Sequence, residues 1–209
     1  MSTPRDLLIT ALDVAPSRPL EQGELSLALA GAELIDLLSA QAIALDGDHI
    51  VPGSRPAPGD RLLDEAASSV VRRVPYESVE DWLWRRGRGL SSAYLAALES
   101  EGQLVRRRRR LKLSGAGPFA LADSPDRRRA ADRRASGEPV LAALASSVGI
   151  HEERTDEHEP PSGDESPNVD DDGVATVLAA VNDALLELEA VRQRRAVEEA
   201  AFDNIWRGG

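Results

Sequence analysis

The sequence predicts a mainly α protein: a compact helical domain around a buried central helix, with short β-hairpins. Three observations carry this. Hydrophobic residues make up 42% of the chain but aromatics only 3%. The core is therefore built from Leu, Ala and Val, and Ala and Leu are strong helix formers. The segment LSLALAGAELIDLLSA, about Leu25 to Ala40, is apolar nearly all round, the mark of a buried helix. Helix caps and turn residues recur between the apolar runs.

Thr3-Pro4 starts the first helix, with Thr as N-cap, Pro at the first helical position and Leu7, Leu8, Ala11 and Leu12 on one face. PSRPLEQG is a loop before the central helix. Gly31 lowers that helix's stability, so the spacing expects another element packed close against it. Asp46-Gly47 between two apolar runs predicts a hairpin. Asp60 caps a helix through about Arg73, with Leu62, Leu63, Ala66 and Val70 inward. Ser78-x-x-Asp81 is a variant capping box before DWLWRR. The next helix runs from about Ser91 to Glu101, with Gly102 just past its end.

A second hairpin follows, roughly Gln103–Leu113 with Phe119–Asp123, turning at SGAG. Strand side chains alternate, so Arg106, Arg108, Arg110 and Lys112 share one face, spaced roughly 6.7 Å apart. Ser124-Pro125 caps a short basic helix, and GEPVLAALASSVG makes one more. Residues 1–150 thus form the domain. Residues 151–172 read as a disordered acidic linker, since their acids, Pro, Ser and Gly cannot bury enough surface to order themselves. Residues 173–206 carry an apolar stripe of Val174, Val177, Leu178, Val181, Leu185, Leu188 and Val191. That C-terminal amphipathic helix docks back on the domain or pairs with another chain.

The net charge is −11, yet it is unevenly spread. Residues 1–150 hold 20 basic and 20 acidic side chains, and residues 151–209 hold 5 and 16. Arg85 to Arg134 alone holds 14 basic and 5 acidic. Three readings compete for the run Arg106–Arg110: lipid phosphates, nucleic-acid phosphates, or a solvated edge strand charged against aggregation. Trp82 and Trp84, two apart, cannot both face the core squarely, and an aromatic beside Arg85, Arg86 and Arg88 suits a membrane interface.

Cysteine is absent, which excludes disulfides and thiolate metal sites. No apolar run spans a bilayer and the N-terminus lacks a basic n-region, so a cytoplasmic protein is expected, peripheral at the inner face of the membrane. Enzyme signals are thin. No G-x-G-x-x-G, P-loop, G-x-S-x-G or H-E-x-x-H occurs. His49 lies in a hairpin, His151 and His158 in the acidic segment, and Asp64-Glu65 point apart on a helix. No catalytic residue, metal or cofactor is expected.

LAGAELIDLLSAQAI, GDRLLDEA, SVEDWLW and LAALESEGQLV occur in that order. Over about Pro4 to Ile150 the chain resembles the Golgi phosphoprotein 3 family, in a bacterial, actinobacterial version. The resemblance implies an all-helical fold around a buried helix, with a hairpin used in membrane contact or self-association. Eukaryotic members bind phosphatidylinositol 4-phosphate on the Golgi and retain glycosyltransferases there, as adaptors and not enzymes. Their head-group pocket uses a tryptophan before the central helix, an arginine within it and two arginines on a later helix. Here the tryptophan falls near Glu21-Gln22 and the first arginine on Ala30. The later pair falls in Arg85–Ala93, where Arg88 matches one, with Arg85 and Arg86 close by. Two of the four pocket elements are unmatched.

The reading that follows is a non-enzymatic peripheral membrane adaptor. Arg85, Arg86, Arg88, Arg106, Arg108 and Arg110 hold the phosphates of an anionic phospholipid or phosphoinositide head group. Leu111, Leu113 and Phe119 insert from the hairpin. A protein client, or self-association through the hairpin or the C-terminal helix, is a further expected partner. The alternative is a winged-helix-like nucleic-acid-binding module, a helix ending at Gly102 followed by a basic hairpin. Glu99 and Glu101 on that helix oppose it, since duplex phosphate repels them.

Overall fold

A computed structural model describes residues 2–14, 18–55, 59–106, 119–150 and 171–207. The fold is mainly helical. In chain order the elements are α1 (Thr3–Asp13), α2 (Gln22–Ser39), β1 (Ile43–Asp46), β2 (His49–Pro52), α3 (Arg61–Ser69), α4 (Val79–Arg86), α5 (Leu90–Ser100), β3 (Leu104–Arg106), β4 (Phe119–Leu121), α6 (Pro125–Ala135), α7 (Pro139–Ser147) and α8 (Asp172–Arg207). The strands form two separate antiparallel pairs, β1 with β2 and β3 with β4.

Helix α2 is the centre. Thirteen of its residues, from Glu24 to Leu37, are buried, and α1, α3, α4, α5 and α8 all pack on it. The first half of α8 lies along it, burying Val174, Val177, Val181, Ala184 and Leu185. Of the two outcomes left open for the C-terminal helix, docking on the domain is the one seen over this half. Gly31 explains the close approach. A Cβ built there would sit 2.3 Å from Val181 Cγ2, so with Val181 in place the position takes glycine.

The local signals are mostly where the sequence put them. Asp60 accepts from the N–H groups of Leu62 and Leu63 at 2.9 and 3.3 Å, and Leu62, Leu63, Ala66 and Val70 point inward. That helix stops at Ser69, short of Arg73. Ser78 accepts from the Asp81 N–H at 3.0 Å, and Ser124 caps α6 through the Arg127 N–H. Gly47, at φ 62°, turns the first hairpin.

Two expectations are corrected. Thr3 is not the cap of α1 but its first helical residue, because its N–H is taken by Asp36 Oδ2 at 2.7 Å. Leu12 is not on the inward face: it is 37% exposed, while Ile9 and Thr10 are buried in its place. Of the second hairpin only the base is described, with Leu104 opposite Leu121 and Arg106 opposite Phe119.

The Gly31 contact is testable. Gly31→Ala should destabilise the fold by about 1–3 kcal/mol through overpacking, despite alanine's better helix propensity. Urea denaturation reads this as a lower midpoint at unchanged slope. Adding Val181→Ala should restore part of the loss.

Candidate functional site

Helix α4 carries three of the predicted arginines at or just past its end. Ser78 and the acids Glu80 and Asp81 open the helix, and Arg85 and Arg86 close it, as its dipole favours. Trp82 and Leu83 are fully buried, and Trp84 is half-buried. The Trp82 indole N–H donates to the Ala30 carbonyl at 3.4 Å. Ala30 is itself fully buried, so the position where the family's arginine falls faces the core and no ligand.

Arg85 and Arg86 are already committed within the protein. Arg85 donates to both Glu77 oxygens and to the Ser69 carbonyl, with its guanidinium 5.1 Å from the Trp82 ring centroid. Arg86 grips Glu33 through two bonds of 2.8 and 2.9 Å and reaches Glu65 at 2.9 Å. Its side chain is 11% exposed, and that of Glu33 is fully enclosed. The Tyr94 hydroxyl donates to Glu33 at 3.0 Å. Burial holds the Glu33 carboxyl above the usual carboxylate range, against the pull of Arg86 and Tyr94. Burial works against the Arg86 charge too, but Glu33 and Glu65 together outweigh it and raise its pKa. The Tyr94 hydroxyl is also driven up, first by burial and then by Glu33. Sequence reading missed Glu33. Its signal was an acid inside the most apolar helix, which needs a buried cation. Asp64 and Glu65 do not form a paired site: Asp64 is exposed and Glu65 turns to Arg86.

Two stretches in which the resemblance leads one to expect parts of the pocket, Glu21-Gln22 and Arg85–Ala93, come together. Gln22, in the first turn of α2, donates to the Ser92 hydroxyl at 2.6 Å. One turn along, Ser26 donates to Ser91 at 2.9 Å and accepts the Ser91 N–H at 3.1 Å. The N-terminus of α5 sits at this corner. Its N-cap, Gly89, has φ 72° and no side chain to cap the helix, and its first turn carries no acid. Arg88, one residue earlier, is exposed and makes no ion pair among the described residues. On the adjoining flank Glu24, almost fully buried, accepts from Arg18 at 2.8 and 2.9 Å and from Arg192 at 2.7 Å.

At the base of the second hairpin the charges are paired. Gln103 donates to Asp126 and Glu101, at 2.7 and 3.1 Å. Arg5 bonds Glu101, which lowers that carboxyl's pKa, and lies 3.0 Å from Asp60. Arg127 pairs with Asp13, Arg129 with Asp126, and Arg133 with Asp6 and Glu138. The basic stretch of the sequence is therefore not a basic patch over the described residues. Asp6, Asp13, Glu33, Glu65 and Glu77, all from outside the stretch, neutralise its arginines. Arg108, Arg110, Leu111 and Leu113 lie outside the described residues, as do the side chains of Arg106 and Phe119.

His49 is half-exposed with Nδ1 2.7 Å from Asp48. Among the described residues no group of His, Cys, Asp or Glu could hold a metal ion.

The Glu33 pairing predicts a large effect. Glu33→Ala strands Arg86 and should destabilise by about 3–5 kcal/mol, read by thermal or urea unfolding. Glu33→Leu, Arg86→Met and Tyr94→Phe together should recover most of that loss.

The family model for Golgi phosphoprotein 3 (GPP34) matches residues 4–194. No curated protein matches the chain. The match takes in every helix from α1 to α7 and the docked half of α8, which is the body of the fold. With that coverage, the chain belongs to the Golgi phosphoprotein 3 family.

Proposed function

We propose that the protein is a non-enzymatic peripheral adaptor that binds anionic phospholipid head groups at the corner between α2 and α5. The observation that carries this is the Gln22–Ser92 contact. It joins the Glu21-Gln22 position to the stretch Arg85–Ala93, where the resemblance expects parts of the pocket, beside the N-terminus of α5 and beside Arg88, which makes no ion pair among the described residues. The Leu90 and Ser91 N–H groups are taken by the Gly87 carbonyl and by Ser26, so what favours an anion here is the positive end of the α5 dipole, with no acid in its first turn. Arg88 supplies the cation, and Gln22 and Ser92 supply neutral polar contacts. Arg106, Arg108 and Arg110 of the hairpin add charge against the same surface, with Leu111, Leu113 and Phe119 entering it. Arg85 and Arg86 serve as framework.

The tryptophan and the arginine of the family's pocket have no counterpart here. The site therefore selects negative charge over one particular inositide. No helix among the described residues is long and apolar enough to cross a membrane, and binding through basic side chains is reversible. The nucleic-acid reading has less to rest on. The exposed face of α5 offers Ser92, Ala93, Ala96, Glu99 and Ser100, which give a base edge little to bond.

Sedimentation with vesicles tests the proposal. Vesicles containing phosphatidylserine or a phosphoinositide should bring the protein down, and phosphatidylcholine alone should not. Each of Arg88, Arg106, Arg108 and Arg110 changed to Ser should weaken binding by about fivefold, as roughly 1 kcal/mol per basic side chain implies. Equal sedimentation of the fourfold variant and the wild type would refute the site. Preferential release by duplex DNA would favour the rival reading.

The acidic segment should compete for the same arginines. Changing the acids of residues 152–170 to Ser, and sparing Asp171 because it caps α8 through the Gly173 N–H at 2.8 Å, should raise vesicle affinity at low salt. The gain should shrink as salt screens it. Unchanged affinity at low salt would rule the competition out.

A further inference from the structure

Helix α8 is 36 residues long, about 54 Å at the usual helical rise. Its first half is core. Among the described residues, its last side-chain bonds are those of Arg192 to Glu24 and of Gln193 to Glu189. From Gln193 to Glu199 every residue is exposed, Val197 at 68%. The helix nevertheless continues to Arg207. Alone, a helical stretch of roughly 15 residues such as Gln193 to Arg207 is marginal in water, so a partner would steady it.

One line of positions runs the whole helix at alternating three- and four-residue steps: Val174, Val177, Val181, Ala184, Leu188, Val191, Arg195, Glu198, Phe202, Ile205. This is a strict heptad seam. Its first four members are buried in the core, Leu188 packs against that core beside Gly23 with its other side half-exposed, and Val191 is half-exposed. Beyond the core the seam reads as a palindrome: two apolar positions, Arg195, Glu198, two apolar positions. Arg195 and Glu198 are exposed and make no ion pair among the described residues, although they stand one turn apart.

We propose that two copies of the protein pair antiparallel through this outer seam, from Leu188 to Ile205. About a two-fold axis between Ala196 and Val197, Leu188 meets the second copy's Ile205, Val191 meets its Phe202, and Arg195 meets its Glu198. All layers match at once. A parallel pair would set Arg195 on Arg195 and Glu198 on Glu198, so the central charges exclude that orientation and fix the register. A membrane surface would not select a charged centre flanked symmetrically by apolar layers. The seam's centre lies past residue 194, where the family match ends, so this interface is a property of this chain's own C-terminal segment. It stands whether or not the lipid site does.

The test is solution mass by sedimentation equilibrium and light scattering across a concentration series, on the full chain. The wild type should be a dimer. R195E and E198R should each weaken it by about tenfold or more, since each places like charges face to face at the centre. Mixing the two single variants should restore the dimer. The combined R195E/E198R chain should dimerise again by itself, which a parallel pair would not do. Each single variant alone should keep a folded core but lose part of its helical circular dichroism, since the outer helix is then uncovered, and the 1:1 mixture and the combined variant should regain it. A wild type that stays monomeric, single variants that pair as well as wild type, or a combined variant that stays monomeric would each overturn the proposal.

Discussion

Three carboxylates on one buried helix decide where its neighbours sit. Helix α2 is enclosed on nearly all sides, yet it carries Glu24, Glu33 and Asp36. A buried carboxylate without a partner is strongly unfavourable. Glu24 draws in Arg18 and, from α8, Arg192. Glu33 draws in Arg86 from α4 and Tyr94 from α5. Asp36 takes the first N–H of α1, and burial outweighs that bond to hold its pKa high. Apolar packing alone would let these helices slide or rotate. Each acid ties a named helix to a named turn of α2, and Gly31 adds the one place where α8 must cross close.

The same logic applies to the arginine-rich window of the chain. A window of sequence rich in Arg looks like a phosphate-binding surface. In the folded protein, Arg86, Arg129 and Arg133 face inward or sideways to acids that lie far away in sequence, among them Asp6 and Glu33. Charge that is balanced locally inside the fold is not available to a membrane. Among the described residues, Arg88 is exposed, makes no ion pair and stands beside the α5 N-terminus.

Much of the fold was legible because it rests on local rules. Asp60, Ser78 and Ser124 cap helices wherever they precede an apolar run, and Gly31 in an otherwise unbroken helix announced a close neighbour. Leu12 and the start of α1 were not legible, because Asp36, from α2, takes the Thr3 N–H and shifts the helix by one residue. The site was less legible still. Nothing in the order of residues says that Gln22 meets Ser92, or that Arg86 meets Glu33 and not solvent. Those are long-range pairings, fixed by which faces of α2, α4 and α5 are apolar, and side-chain type alone does not reveal them.

The framework and the proposed binding corner are thus held by different residues. Glu24, Glu33, Asp36 and their partners keep the helices in place from inside. Glu21, Gln22, Arg88 and Ser92 line the rim and carry little of that burden: Gln22 bonds Ser92, and Glu21 lies 4.0 Å from Arg192, both at the surface. A family fold built this way can exchange a rim tryptophan or replace an arginine by a buried alanine without losing its architecture. Family membership therefore constrains the body of this protein tightly and its ligand loosely. Helix α8 shows the same division within a single element. Up to Arg192 its sequence answers to the core, through Gly31 and Glu24. From Gln193 to Glu199 its side chains are exposed, and there the charges of the proposed seam answer to a second copy and not to the core.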